Sequence, residues 1–201
     1  MRVSKEKAAE NRIAILQAAS RLFRKRGIDD VGVAEIAKEA GLTHGALYAH
    51  FPSKDALVAE AFSYGFEGNM AAIQAWAADR RLSFDDYLDG LVSTRMRDRL
   101  EAGCPMAAAA SEMARQGRAA SASYASAFEE TVAMIEGSLE DAIPASQRRR
   151  LAIAAVVAEV GAIAVSRSIE KSDKKLADEV LQAVRETVSA AHKEAQGAAG
   201  V

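Results

Sequence analysis

Val33-Ala-Glu-Ile-Ala-Lys-Glu-Ala-Gly-Leu-Thr-His-Gly-Ala-Leu-Tyr-Ala-His-Phe-Pro-Ser-Lys-Asp-Ala-Leu57 is the stretch on which the reading of this chain turns. Val33, Ile36 and Ala37 recur at i, i+3 and i+4 and predict a short helix to Ala40 that stops at Gly41. Gly32 is a weak cap for its start. Thr43 is a good N-cap for a second short helix, His44 to about His50, which Phe51-Pro52 ends. Ser53 then caps a long helix running to about Ala78, with Asp55 in the first turn where the helix dipole favours an acid. Two short helices joined by a tight glycine turn form a helix-turn-helix, whose second helix lies in the DNA major groove. Ala37 and Ala40 are small where such helices cross, Gly41 permits a positive φ, and Ile36, Leu42 and Leu47 supply a shared core.

Thr43, His44, Gly45, Ala46, Tyr48 and His50 are left for the outer face of the second helix. Gly45 and Ala46 allow a close approach to base edges, and the Ala46 methyl can meet a thymine methyl. Tyr48, His50 and Lys54 can donate to phosphates, as can the free amides opening the long helix.

Working outward, a first helix is expected from about Ser4 to Lys25, with Ile13, Leu16, Ala19 and Phe23 at helical spacing and Gly27 at its end. Residues 1–26 carry eight basic side chains against Glu6 and Glu10, a local +6, whereas the whole chain stands at -2. A basic head on an acidic body suits focused binding to a polyanion, and a solvated basic helix face accounts for it equally well. Downstream, helices are expected at about Phe84–Glu101, Cys104–Arg115, Ala119–Ala142, Ala145–Lys171 and Asp173–Ala195, with the Ala- and Gly-rich residues 196–201 disordered. Aromatics at 5% and three prolines in 201 residues suit helices, so the fold class is all-α.

One cysteine, Cys104, permits no internal disulfide, and a reducing cytoplasm is the expected location. The charged N-terminus lacks the apolar run of a signal peptide, and the longest apolar stretch, Leu151–Ser166, is interrupted by Glu159. An all-helical enzyme is one rival reading, but His44, His50 and His192 show no metal spacing, and no phosphate-binding loop or nucleophile elbow is present. No cofactor or metal is expected. An adaptor bundle, the other rival, leaves the ordered pattern at 33–57 without a purpose.

That pattern, with Phe23 and Gly27 ahead of it, resembles the DNA-binding signature of the TetR (tetracycline-repressor) family over roughly the first 60 residues. Val31 and Gly32 stand where many members have Thr or Ser, and His44 stands where Lys or Arg is common. The resemblance implies an N-terminal three-helix DNA-binding domain, residues 1–53, joined by a long helix to a larger effector-binding and dimerisation domain, residues 54–201. It implies a homodimer on a palindromic double-stranded DNA operator, released by a small-molecule effector, with repression the usual mode and no membrane partner.

Within the second domain, Phe62, Phe66, Met70, Tyr87, Leu91, Met113, Phe128 and Val132 are pocket candidates, each more often plain core. Gly103-Cys-Pro resembles the entry to a helix in one group of these regulators. It places Cys104 at a helix N-terminus, where the dipole lowers thiol pKa; a buried structural cysteine is the commoner outcome. Leu176, Val180, Val184, Val188 and Ala191, with the small residues Ala154, Ala158, Gly161 and Ala162, suit either a dimer seam or an intrachain core.

Overall fold

The computed structural model describes residues 4–78 and 80–199, and among them only helices and their connections occur. The helices are α1 (Lys5–Arg26), α2 (Val33–Glu39), α3 (His44–Tyr48), α4 (Lys54–Ala77), α5 (Phe84–Leu91), α6 (Thr94–Asp98), α7 (Pro105–Met113), α8 (Arg118–Glu136), α9 (Ala145–Ile169) and α10 (Lys174–Ala199).

Local chemistry sets most of the boundaries. Ser4, Thr43 and Ser53 accept the amides of Lys7, Ala46 and Ala56, closing the first turns of α1, α3 and α4. Gly32 gives α2 no side-chain cap. Between α2 and α3 the amide of Leu42 reaches the Ala37 carbonyl at 2.8 Å and that of Gly41 reaches Lys38 at 3.0 Å. Those are the two bonds of a Schellman stop, and Gly41 meets its left-handed requirement with φ +68°.

The expected helix 84–101 is two helices instead. Ser93 accepts the Met96 amide and bonds the Gly90 carbonyl, so the chain leaves α5 at Val92 and restarts as α6. Helical spacing of apolar residues runs through the break and conceals it. The helix expected to reach Ala142 ends at Glu136, with Gly137 as its cap. Residues 196–199, expected to be disordered, continue α10, and 200–201 lie outside the described residues.

One apolar core runs from α1 through α4 to α8 and α9. Ser20 of α1 crosses Gly65 of α4 so closely that a Cβ on Gly65 would fall 2.3 Å from the Ser20 hydroxyl. Helix α9 is long and apolar enough to cross a membrane by length and composition, with mean hydropathy 1.7, yet it is packed by α7, α8 and α10 as a core helix. On α10, Val188 is buried and Val180 and Val184 pack against that core, which places them in the intrachain contact. The outward side of α9 and α10 shows Ala154, Val157, Gly161, Val165 and Leu176.

Candidate nucleic-acid interface and ligand cavities

Ile36, Ala37, Leu47, Phe51 and Leu57 have no solvent exposure, so α2, α3 and the start of α4 are fixed against α1 by a dry core. Val31, at a position expected to be polar, belongs to the same core. The outer side of α3 therefore has a defined direction. Thr43, His44, Gly45 and Tyr48 are exposed there and Ala46 and His50 are half-buried. His44 stands edge-on to Tyr48 with centroids 5.1 Å apart. A Cβ on Gly45 would meet nothing within 4 Å. Lys54 is partly committed: its ammonium donates to the Ile28 carbonyl at 2.6 Å, leaving two of three donors.

The basic charge of α1 is mostly spent within the protein. Arg12 pairs with Glu60, Arg21 with Glu39 and Glu101, Lys25 with Glu101, and Arg26 with Glu35. Arg24 is partly buried and bonds backbone carbonyls of Ser20 and Gly103, and its pKa is lowered by burial and then by Arg167. Among the described residues Lys5 and Lys38 make no ion pair. The +6 read from residues 1–26 thus describes a clasp between α1 and its acidic neighbours more than a free polyanion surface.

That clasp extends to α7. Glu112 accepts the Ile28 amide, and Arg115 and Gln116 reach Asp29 at 3.5 and 3.3 Å. Gly27, at φ +94°, makes room: a Cβ there would lie 2.5 Å from a Glu112 oxygen. Gly27→Ala should cost about 1–3 kcal/mol from the positive-φ, extended-ψ backbone alone, a region essentially reserved for glycine, read as a lowered urea midpoint. An unchanged midpoint would mean that the turn relaxes freely and that Glu112 does not depend on it.

The pocket candidates do not converge. Tyr87 and Leu91 line a cleft of about 260 Å³ between α4, α5 and α6, together with Ile73, Trp76 and Met96. Phe62 and Met113 line a gap of about 20 Å³ against α1. Phe128, with Met113 again, borders an open surface hollow. Phe66, Met70, Cys104 and Val132 are core residues that border none of these spaces. Trp76, the sole tryptophan, and Met96 were the missed signals, because their convergence depends on the α5–α6 break.

Cys104 does cap α7, its sulfur accepting the Ala107 amide at 3.4 Å. Its pKa is nevertheless pushed well up, first by burial and then by Glu159. Complete desolvation moves a pKa by several units, whereas a helix dipole contributes about 1 kcal/mol or less. The thiol is therefore protonated and inert, and the expected lowering is reversed. Glu159, read in the sequence only as an interruption of an apolar run, is buried at 3% exposure, and burial pushes its carboxyl up to about 7.

A carboxyl whose folded pKa lies above its ordinary value adds stability that is complete below about pH 4.5 and lost as pH rises through about 7. Glu159→Gln should remove that part of the pH dependence and raise the thermal midpoint at pH 8 relative to the parent. Parallel pH profiles for the two proteins would show that Glu159 stays solvated.

Three helices, α1 to α3, presenting one short helix and carried on a larger helical body, are the build of a helix-turn-helix regulator. Residues 15–61 match the family described as "Bacterial regulatory proteins, tetR family". Residues 82–193 match "Transcriptional regulator LmrA/YxaF-like, C-terminal domain". The chain belongs to the TetR family of regulatory proteins.

Among curated relatives, the HTH-type transcriptional regulator TtgR of Pseudomonas putida is 48% identical over 58 residues, 29% of this chain and 28% of that protein. The HTH-type transcriptional repressor BepR of Brucella suis is 50% identical over 54 residues, 27% of this chain and 26% of that one. These matches span little more than a quarter of either relative's length. The fold itself is similar to the crystal structure of a TetR transcriptional regulator from Legionella pneumophila, with TM-score 0.72 and 19% identity over 94% of this chain and 98% of that one.

Proposed function

We propose that this chain is a ligand-responsive transcriptional regulator acting in the cytoplasm as a repressor. It binds a palindromic operator as a homodimer and leaves it when a small molecule occupies the larger domain. The observation that carries the reading is the outer face of α3: small at Gly45 and Ala46, hydrogen-bonding at Thr43, His44 and Tyr48, and held rigidly by the core beneath. Division into a DNA-binding part, 1–53, and an effector and dimerisation part, 54–201, belongs to the same proposal.

Repression is supported by the name of the Brucella suis relative, whose likeness covers 54 residues. Dimerisation is supported by the outward face of α9 and α10, where Ala154 and Gly161 permit close helix approach beside Val157, Val165 and Leu176. Two routes would carry ligand occupancy to α3: α4, which starts beside it and ends in the larger domain, and α7 through Glu112 and the Ile28 amide. A small rotation along either route displaces two recognition helices that must match major grooves about 34 Å apart.

The test begins with selection of bound duplexes from random DNA, which should return a palindrome bound by two chains. Tyr48→Phe removes one phosphate donor and should weaken every bound sequence by about 1 kcal/mol, or roughly fivefold. Ala46→Gln should instead change the preferred base at one position of each half-site, by about 1–3 kcal/mol. Uniform weakening by both variants would remove the distinction between a positioning Tyr48 and a reading Ala46. Failure to enrich any sequence would remove the proposal.

A further inference from the structure

Glu159 is the one buried carboxylate among the described residues. It faces a space of about 10 Å³ walled by Phe84, Leu88, Leu91, Ile135 and Val156. That is room for about one water molecule. The side chain that favours its ionised form is the thiol of Cys104, a weak donor, and its effect is smaller than that of burial. Among the described residues no cation offsets its burial: Arg24 and Arg167 act on the Cys104 side, and Tyr124, on α8, is held neutral with a phenol pKa raised to about 12. A buried carboxyl without a basic partner is costly to ionise, and a cation brought beside it from outside would offset that cost.

Leu91 also lines the 260 Å³ cleft that holds Trp76, Tyr87 and Met96. The Leu91 side chain therefore borders both the larger cleft and the small space in front of Glu159. We propose that the two spaces are the outer and inner parts of one site for a lipophilic amine, its apolar body against Trp76 and Tyr87 and its ammonium group on Glu159. The inference rests on the reading of the chain as effector-responsive and adds the chemical class of the effector.

Arg95, Arg99 and Asp89 also line the cleft, and all three are exposed. Water screens them, whereas a charge pair at the buried Glu159 is roughly fourfold stronger at the same separation. The inner carboxylate thus decides the sign of the ligand, and the outer charges decide little.

The experiment uses the full chain and three probes sharing one body: 4-tert-butylbenzylamine, the corresponding benzyl alcohol and 4-tert-butylbenzoate. Calorimetry and the fluorescence of Trp76 report binding. The amine should bind at least about tenfold more tightly than the alcohol and the benzoate, through the ion pair formed out of water. Glu159→Gln should abolish that preference while leaving the alcohol within about threefold, since the body's contacts are unchanged. Glu159→Asp, which keeps the charge, should retain the preference and shows that loss in the glutamine variant is not misfolding. Equal binding of the three heads, no binding of the amine, or an amine preference that survives Glu159→Gln overturns the proposal. Duplex binding by the unliganded chain is measured in parallel. Its absence would fail the regulatory reading, whereas duplex binding without head-group preference fails this inference alone.

Discussion

Operator binding should weaken about 10³-fold when salt rises from about 50 to about 200 mM, at the lower end of the range for DNA-binding proteins. The structure lowers the expectation because Arg12, Arg21, Lys25 and Arg26 already hold carboxylates. Among the described residues, Lys5, Lys38 and the remaining donors of Lys54 leave about three cations per chain, hence about six per dimer and a log–log slope near -5. Quantitative titrations at four or five salt concentrations measure that slope. Lys38→Ala should make it shallower by about 2 per dimer, because each chain loses one neutralised phosphate. A slope beyond about -9 would show that the α1 ion pairs open and the arginines turn to phosphate.

The second large effect is expected at Arg97, which joins α6 to α9 and α10. Its guanidinium is 1% exposed, with Nε 2.6 Å from Asp98 and one terminal nitrogen 2.6 Å from Asp178 and 3.4 Å from the Ser166 hydroxyl. Hydrogen bonding to Asp98 raises its pKa, and its other terminal nitrogen is buried without a partner. Both aspartates are about half exposed, so water would take over their solvation if the arginine were lost. The full penalty for breaking a buried pair, about 3–5 kcal/mol, is therefore discounted, and Arg97→Met should cost about 2–3 kcal/mol. Urea unfolding measures it. Asp178→Asn, at the exposed end, should cost about 1 kcal/mol or less. A methionine variant as stable as the parent would show that apolar packing replaces the whole network and that the charge serves something other than stability.

The parts of the molecule legible in the sequence are those written within a few residues of each other. Thr43, Ser53 and Gly41 cap or stop helices by bonding amides and carbonyls no more than five positions away, so the helix-turn-helix could be read directly. The capping box of Ser83 with Asp86 is equally local, yet it lay in a region read only for its apolar spacing. Long-range pairing is a different matter. Nothing near Arg21 announces Glu101, 80 residues on, and a basic helix looked free when it was clasped. The cleft was hidden for the same reason, since Met96 joins Trp76 in its lining only after α5 breaks at Val92. Glu159 was visible as an anomaly, but only its burial between α5 and α8 gives the anomaly chemical meaning.

The backbone of Ile28 is gripped from both sides: its amide by Glu112 of α7, its carbonyl by Lys54 at the start of α4. Such a joint limits how freely this protein can be rebuilt from interchangeable parts. A chimera that transplants residues 1–53 onto an unrelated body would carry the amide of Ile28 away from its carboxylate and leave both ends of the joint unmatched. Heads exchanged together with a glutamate at the corresponding place on α7 should remain answerable to the body's ligand. Those exchanged without it should bind DNA as fixed, unresponsive modules. For anyone wishing to rewire the protein as a biosensor, the graft line lies around a single residue, Ile28, and Glu112 must travel with it.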